Sequence, residues 1–370
     1  MDRVGGIQSA AVGLPTTAER RQVLAHSVSL VYRVLVPASP AILALGFGVY
    51  VPAVLSLENI INIIQQTAFL FVLTCAQTIV LLTRGLDLSL GPSVSMISVA
   101  SALTMTAIVG SDGSNGIIAA LAGTASGLLI GLLVGIFNGI AVAWLRVNPF
   151  VATLASMNIC LGIGTSLSDG HSVFGIPEEF NVAGYRLHVL GIPMSIIYAM
   201  AVGIALHLLL QYTVVGRSFY VLGSNPRAAI VAGWPRRRLL ALAYILSALL
   251  TAVGALILTA RAASGAPNLG GGLSLQTIAA AVIGGVSLTG GRGGLSSALI
   301  GSFFITILSN GMNLAEIGGY TQMLVMGAIV IFAVCARPRC PNGPVGAENN
   351  GRRQVLSDRL LRAVRTVSNS

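Results

Sequence analysis

The sequence predicts an all-α protein, a polytopic transmembrane helical bundle of about ten spans, one or two of them short or broken. Three observations carry this expectation. Of the 370 residues, 55% are hydrophobic and only 9% are charged, whereas a soluble domain is about a quarter charged. The hydrophobic residues fall in runs of about 20, the length that crosses a hydrocarbon layer as helix. The 44 glycines lie inside those runs and not in linkers, as they do where membrane helices approach backbone to backbone.

In chain order, residues 1–30 read as a polar, basic tail without the small-residue cleavage site of a signal peptide. Thr16 to Glu19 form a capping box that opens a short amphipathic helix on the membrane surface. A transmembrane domain over 31–336 follows, with spans at 31–53, 60–83, 90–109, 117–144, 150–168, 190–211, 239–260, 275–290, 295–312 and 320–336. Pro37, Pro40 and Pro52 make the first span irregular, and the one at 275–290 is short enough for a half-helix. A proline- and glycine-rich stretch then ends the last helix and begins a basic tail over 337–370.

Charge orients the bundle. The +10 balance is due to arginine alone, since the chain has no lysine. With both termini in the cytoplasm, every arginine of the 21 except Arg186 and Arg261 falls in an inner segment or at an inner span end. This is the positive-inside bias, and it explains the basic charge better than nucleic-acid binding does. Cys75 and Cys160 sit in apolar runs, and Cys335 and Cys340 lie by the cytoplasmic terminus, where disulfides are rare. No metal-ligand spacing is present.

The span at 117–144 carries glycine at every fourth position from Gly123 through Gly127, Gly131 and Gly135 to Gly139. Such a ridge admits another helix at close range. Two readings stand: packing within the subunit, or contact with a second subunit.

Titratable groups inside a membrane mark ion coupling or catalysis. None of the eleven acids falls within the predicted spans, and His207 is the one histidine that does. No catalytic residues are assigned, and coupling to an ion gradient is not expected. The phosphate loop of an ATPase needs a lysine, which this chain lacks. If ATP drives it, another polypeptide hydrolyses the ATP. Uncharged polar side chains do occur in the spans: Gln65, Gln66, Gln77, Asn138, Asn158, Asn310 and Gln322. Gln65, Gln77, Asn138, Asn158 and Asn310 are the candidates for a path that offers amide donors and acceptors to a hydroxyl-rich solute. The other reading is hydrogen bonding between helices. On the outer side, Asp169 and His171 form one candidate loop. The glycine-rich strip around Pro267 and Asn268 is a second, either a plain connection or unwound helix beside a cavity.

The stretch from Gly216 to Arg238 is the longest polar interruption, with Arg217, Arg227, Arg236, Arg237 and Arg238 and no acid. Within it Asn225 is an N-cap and Pro226 a first helical residue, Ala228 and Ala229 continue the helix, and Gly233 closes it. A capped helix between two spans, from Gly223 to Gly233, is a lever.

Five stretches are familiar: Thr83–Gly91 (TRGLDLSLG), Asn148–Leu154 (NPFVATL), Gly216–Ala229 (GRSFYVLGSNPRAA), Ala266–Gly270 (APNLG) and Ala279–Gly293 (AAAVIGGVSLTGGRG). In this order the chain resembles the ribose-type permease family of bacterial ABC importers, from about residue 31 to 336. The resemblance implies a permease subunit that moves a monosaccharide or related polyol across the inner membrane. It implies as partners a cytoplasmic ABC ATPase that uses ATP and Mg, a periplasmic or extracellular sugar-binding protein, and a second permease subunit, as homodimer or heterodimer. No cofactor belongs to this chain. The stretch matching Gly216–Gly233 would dock on the ATPase. Two positions depart from the family's habit, Thr83 where glycine often precedes Arg84 and Arg227 where an acid often follows Pro226. The alternatives are a stand-alone carrier or facilitator, an importer of another small polar solute, and a membrane scaffold or sensor.

Overall fold

The computed structural model describes residues 35–109 and 115–335, of which 36–334 form one compact unit. The capping box at Thr16–Glu19 and both tails lie outside the described residues.

The regular structure of the unit is helical apart from one small hairpin and an isolated bridge between Val173 and Gly265. Its elements are α1 (Leu35–Tyr50), a 3-10 turn at Pro52–Leu55, α2 (Leu57–Leu82), α3 (Leu90–Val109), α4 (Gly116–Ala143), α5 (Pro149–Leu167), α6 (Glu178–Asn181) and a π turn at Val182–Arg186. Then come β1 (His188–Val189), β2 (Ile192–Pro193), α7 (Met194–Tyr212), α8 (Val214–Ser224), α9 (Pro226–Val231), α10 (Arg236–Ala262), α11 (Leu273–Ile283), α12 (Leu295–Leu314) and α13 (Gly319–Cys335). Among the described residues, 7 helices are long and apolar enough to cross a membrane, namely α2, α3, α4, α5, α7, α10 and α12. The helices α1, α11 and α13 are shorter and coincide with the expected spans at 31–53, 275–290 and 320–336. Helix α1 runs unbroken through Pro37 and Pro40, so the irregularity is confined to the turn at Pro52. The span expected from 190 begins at Met194, because Leu190 and Gly191 turn a hairpin with φ of 53° and 79°.

Local chemistry sets the helix ends. The Ser56 side chain accepts from Asn59 N to open α2, and Asn148 caps α5 by accepting from Phe150 N at 2.9 Å, with Pro149 first in the helix. Five of the described helices close on a left-handed residue that is not glycine: Arg84 after α2, Arg146 after α4, Asp169 after α5, Ala263 after α10 and Glu316 after α12. Each costs about 1–2 kcal/mol relative to glycine. After Arg84, Arg146, Asp169 and Glu316 the next amide reaches back to a helix carbonyl (Gly85 to Val80, Val147 to Ala141, Gly170 to Thr165, Ile317 to Met312), so the last turn stays hydrogen-bonded.

Helix α2 is the axis of the bundle, packed against α7, α10, α11 and α12. Its Leu73 meets α10 at Gly254 and its Val80 shares a cluster with Tyr244. Helix α4 lies along α3 and α10, and the glycine ridge makes this possible. Cβ atoms at Gly123, Gly131 and Gly135 would strike Met105, Ala252 and the Ile245 backbone. The ridge therefore packs within the chain, and the outward face of α4 carries Leu129, Leu133 and Phe137 instead. Deep in the bundle, hydroxyl pairs join helices: Thr259 to Ser98 at 2.8 Å and Ser302 to Thr74 at 3.0 Å.

Between α10 and α11 the chain leaves the helix at Ala263 (φ 52°) and runs back along α3 without regular structure. Gly265 packs against Ser98 and Ala102, and Gly270 against Gly91. Non-helical backbone at this depth must find its partners in protein. It does so: Gly265 exchanges two hydrogen bonds with Val173, and Gly270 N donates to Ser95 Oγ at 2.9 Å.

Candidate functional site

The polar interruption is two helices, not one. The Thr213 hydroxyl accepts from Gly216 N at 3.0 Å and opens α8, whose buried face holds Gly216, Phe219, Leu222 and Gly223 while Arg217 is exposed. The sequence marks one capped helix in this stretch, from Gly223 to Gly233, and gives no sign of α8 before it. Flanking glycines and charge conceal an apolar stripe that spans only two to three turns. At Asn225 the backbone becomes extended (φ −145°), its Oδ1 accepts from Ala228 N at 3.0 Å, and Pro226 opens α9. Ala229 is buried beneath α9, whereas Arg227 and Ala228 are exposed. Gly233 (φ 76°) closes the turn, its amide donating to Ile230 O.

The end of α8 is docked on the end of α2 and on the connection between α11 and α12. Arg84 donates through Nε to Gly223 O at 2.5 Å and through Nη2 to Ser224 O at 3.0 Å. Beside it Gly291 N donates to Leu82 O at 3.0 Å. A Cβ at Gly223 would overlap both Leu82 O and Gly291 N, so only glycine lets three backbones meet here.

From this junction the segment Thr83–Gly91 reaches each of the other four stretches. Thr153 Oγ1 donates to Leu86 O at 3.2 Å. Gly223, Ser224 and Gly291 sit at its start. Gly91 N donates to Ser274 Oγ, which donates to Leu88 O, and Gly270 rests on Gly91. Stretches separated by up to two hundred residues of sequence converge on one loop.

Sequence reasoning missed one residue of that loop. Asp87 is 3% exposed, and its Oδ1 accepts from Ser89 N at 2.9 Å and from Ser89 Oγ at 2.6 Å. Asn138 Nδ2 donates in turn to Ser89 Oγ at 3.0 Å. Burial pushes the Asp87 carboxyl above the ordinary range, and the two Ser89 bonds oppose it only in part. The signal was available: an aspartate two residues before a serine at the start of an apolar run is an Asx turn that opens a helix.

The remaining candidates are dispersed. Gln65 Oε1 accepts from Tyr185 OH at 3.0 Å, Asn310 and Asn59 exchange two amide bonds, and Gln66 bonds to Asn62 one turn away. Gln322 bonds to Asn313. Asn158 is exposed and bonds to Leu154 O of its own helix. Gln77 is fully buried with neither amide atom hydrogen-bonded, and Asn138 is buried beside the Asp87 loop. Each of Gln65, Asn138 and Asn310 thus joins different elements of the bundle. Asp169 and His171 are exposed on the turn after α5. Pro267 and Asn268 belong to the unwound stretch along α3, with Asn268 exposed. None of these residues lines the basic cavity at the arginine end or the apolar groove of ≈ 380 Å³ between α2, α7 and α12, where His207 lies.

The residues brought together supply backbone contacts and one buried carboxylate, a set suited to holding helices in register. A family model described as the permease component of a branched-chain amino acid transport system matches residues 59–334. The ribose import permease of Bacillus subtilis is 35% identical over 294 residues, covering 79% of this chain and 88% of that one. The D-allose transport permease of Escherichia coli is 32% identical over 295 residues (80% and 88%), and its L-arabinose permease is 32% identical over 294 (80% and 87%). No solved structure matches. With 276 residues of the chain under one permease model and relatives above 30% identity along most of both sequences, the chain belongs to the ribose-type permease family of ABC importers.

Proposed function

We propose that this chain is the membrane-spanning subunit of an ATP-driven importer of a monosaccharide or related polyol. The observation that carries the reading is the convergence of four separated stretches on a fifth, Thr83–Gly91, in a chain whose relatives are named for ribose, D-allose and L-arabinose. The family model's description names amino acids, but the ribose, D-allose and L-arabinose permeases match along most of their length.

In this reading α1, α11 and α13 complete ten passes, α11 together with the unwound stretch making one of them. Both tails, 1–30 and 337–370, lie in the cytoplasm with the arginine end, as the partition of arginines favours. The exposed side of α8 and α9 docks on a separate ATPase that binds ATP and Mg. A binding protein delivers sugar at the opposite end, near Asp169 and His171, and a second permease subunit completes the path. When the ATPase closes, α8 and α9 move and carry the Thr83–Gly91 loop with them. The solute is bound weakly, through uncharged polar groups, because selection rests with the binding protein.

The test is reconstitution with the ATPase and binding protein into liposomes. Labelled ribose, allose or arabinose should accumulate only with ATP and both partners. Uptake by the chain alone would overturn the reading in favour of a facilitator. No uptake of any sugar or polyol under full reconstitution would also overturn it.

A further inference from the structure

Beside the docked end of α8 lies a cavity of ≈ 650 Å³ bounded by the α4–α5 corner, α9 and the start of α10. Arg84, Arg146, Arg236 and Arg237 stand in its wall, and no acidic residue does. The single ion pair among the described residues, Arg186 with Glu178, is elsewhere, in the segment between α5 and α7. The starts of two long helices, α5 at Pro149 and α10 at Arg236, also border the cavity and add the positive ends of their dipoles. At the back wall the Tyr244 hydroxyl is buried, close to the Leu86 backbone, and makes no hydrogen bond of ordinary geometry. We propose that this cavity binds the phosphodiester headgroup of an anionic glycerophospholipid, which ties α9 to the α4–α5 corner.

The choice of a lipid over a soluble anion or an acidic peptide rests on what adjoins the cavity. Residues immediately before Arg146 (Phe137, Ile140, Trp144, Leu145) are exposed and apolar, and so are Phe150 and Val151 just after Pro149. A hydrocarbon-facing surface therefore runs straight into a pocket of guanidinium groups, and only an amphiphile satisfies both. Two of the Arg84 donors are already committed to the Gly223 and Ser224 carbonyls. A phosphate held among the remaining donors would neutralise charge that otherwise pushes α10 away from Arg84. The lipid would thus act on the same junction that the proposed function uses, yet its binding is measurable on this chain alone.

The full-length chain, purified in detergent, is mixed with phosphatidylglycerol or phosphatidylcholine of identical acyl chains and bound lipid is counted by native mass spectrometry. One phosphatidylglycerol should be retained and phosphatidylcholine should not. Each arginine near an anionic headgroup contributes about fivefold, so Arg146→Gln with Arg237→Gln should weaken retention about 30-fold. Arg186→Gln with Arg261→Gln removes the same charge outside the cavity and should change nothing. Arg146→Lys with Arg237→Lys keeps the charge and should restore most of the binding, which guards against a misfolded glutamine variant. Equal retention by the Arg146→Gln/Arg237→Gln chain overturns the proposal. Displacement of the lipid by inorganic phosphate as effectively as by phosphatidylglycerol would identify a free-anion site and overturn it too. Failure of sugar uptake in reconstitution would leave this binding result untouched.

Discussion

Gly223→Val tests whether the α8 junction transmits work. The new Cβ would overlap the Leu82 carbonyl oxygen and crowd Gly291 N, both backbone atoms that no rotamer change can move. An ordinary C···O approach is about 3.3 Å or more, so α8 must retreat by about 1 Å or more. Overpacking of this kind costs about 1–3 kcal/mol. The retreat also stretches the Arg84 Nε bond to Gly223 O, now 2.5 Å, and a hydrogen bond to a charged group is worth about 1.5–3 kcal/mol. A combined loss of about 2.5–6 kcal/mol lowers the docked population by about 60-fold or more. The assay is sugar moved per ATP hydrolysed in liposomes holding chain, ATPase and binding protein. The variant should still assemble with the ATPase, shown by co-purification, while uptake per ATP falls at least about tenfold. Gly233→Ala is the contrast: its φ of 76° strains an alanine, but nothing lies within 4 Å of the Cβ. It should cost only about 1 kcal/mol and keep most of the coupling. Normal uptake per ATP in an assembled Gly223→Val complex would refute the reasoning.

Three further outcomes follow from the same geometry. Asn225→Ala removes the Oδ1 acceptor for Ala228 N and should destabilise α9 by about 1 kcal/mol, read as about fivefold faster amide exchange in α9; unchanged exchange would refute the cap. Asp87 has a folded pKa above the unfolded value of about 3.9, so its contribution to stability is full below that value and is lost as pH rises through the folded one. Asp87→Asn keeps an acceptor for Ser89 without the charge. It should raise the melting temperature at about pH 7 but not at about pH 3, and an equal shift at both would exclude the ionisation. A double-mutant cycle on Asn59→Leu and Asn310→Leu should give a coupling of about 0.6 kcal/mol and below about 1.7, since membrane helices find other partners when unfolded; zero coupling would mean the amide pair is not formed.

The bundle itself was legible because membrane spans announce themselves by length and apolarity. Short elements with a strong cap were legible for the same kind of reason: Asn225, Pro226 and Gly233 bound α9 as their side-chain chemistry requires. The helix α8 was hidden because its buried residues include two glycines and a serine, which carry almost no hydropathy signal although the glycines make close backbone contacts. Asp87 was hidden for a related reason. A charged residue in an interhelical loop is read as solvated; the local pattern marks its turn with Ser89, and only the fold shows that the carboxylate is buried and that Asn138 reaches the same Ser89. The depth of Pro267 and Asn268 needed the pairing of Gly265 with Val173, a contact between distant parts of the chain that no local pattern encodes. The two readings of the glycine ridge could be separated only by knowing that α10 passes over it.

The stretches that meet at Thr83–Gly91 are rich in glycine and poor in reactive groups, and the contacts explain why. A Cβ at Gly223, Gly270, Gly284 or Gly301 would overlap the carbonyl of Leu82, Gly91, Ser297 or Ala280, respectively. Contacts between side chains have slack, since a rotamer can shift to absorb a displacement of about 1 Å. Contacts between backbones have none. A displacement of α8 would therefore pass to the end of α2 and to the connection between α11 and α12 through Gly223, Leu82 and Gly291. Helices α11 and α12, locked at Gly284 and Gly301, shift as one body. The other end of α11 joins the unwound stretch at Gly272 (φ 78°), which is held by individual hydrogen bonds and not by a helical ladder. Bending is then left to Gly271 and Gly272, which lie between the α11 ladder and the Gly270–Gly91 backbone contact and where an added Cβ would meet only Asn268 O and Gln276 Nε2.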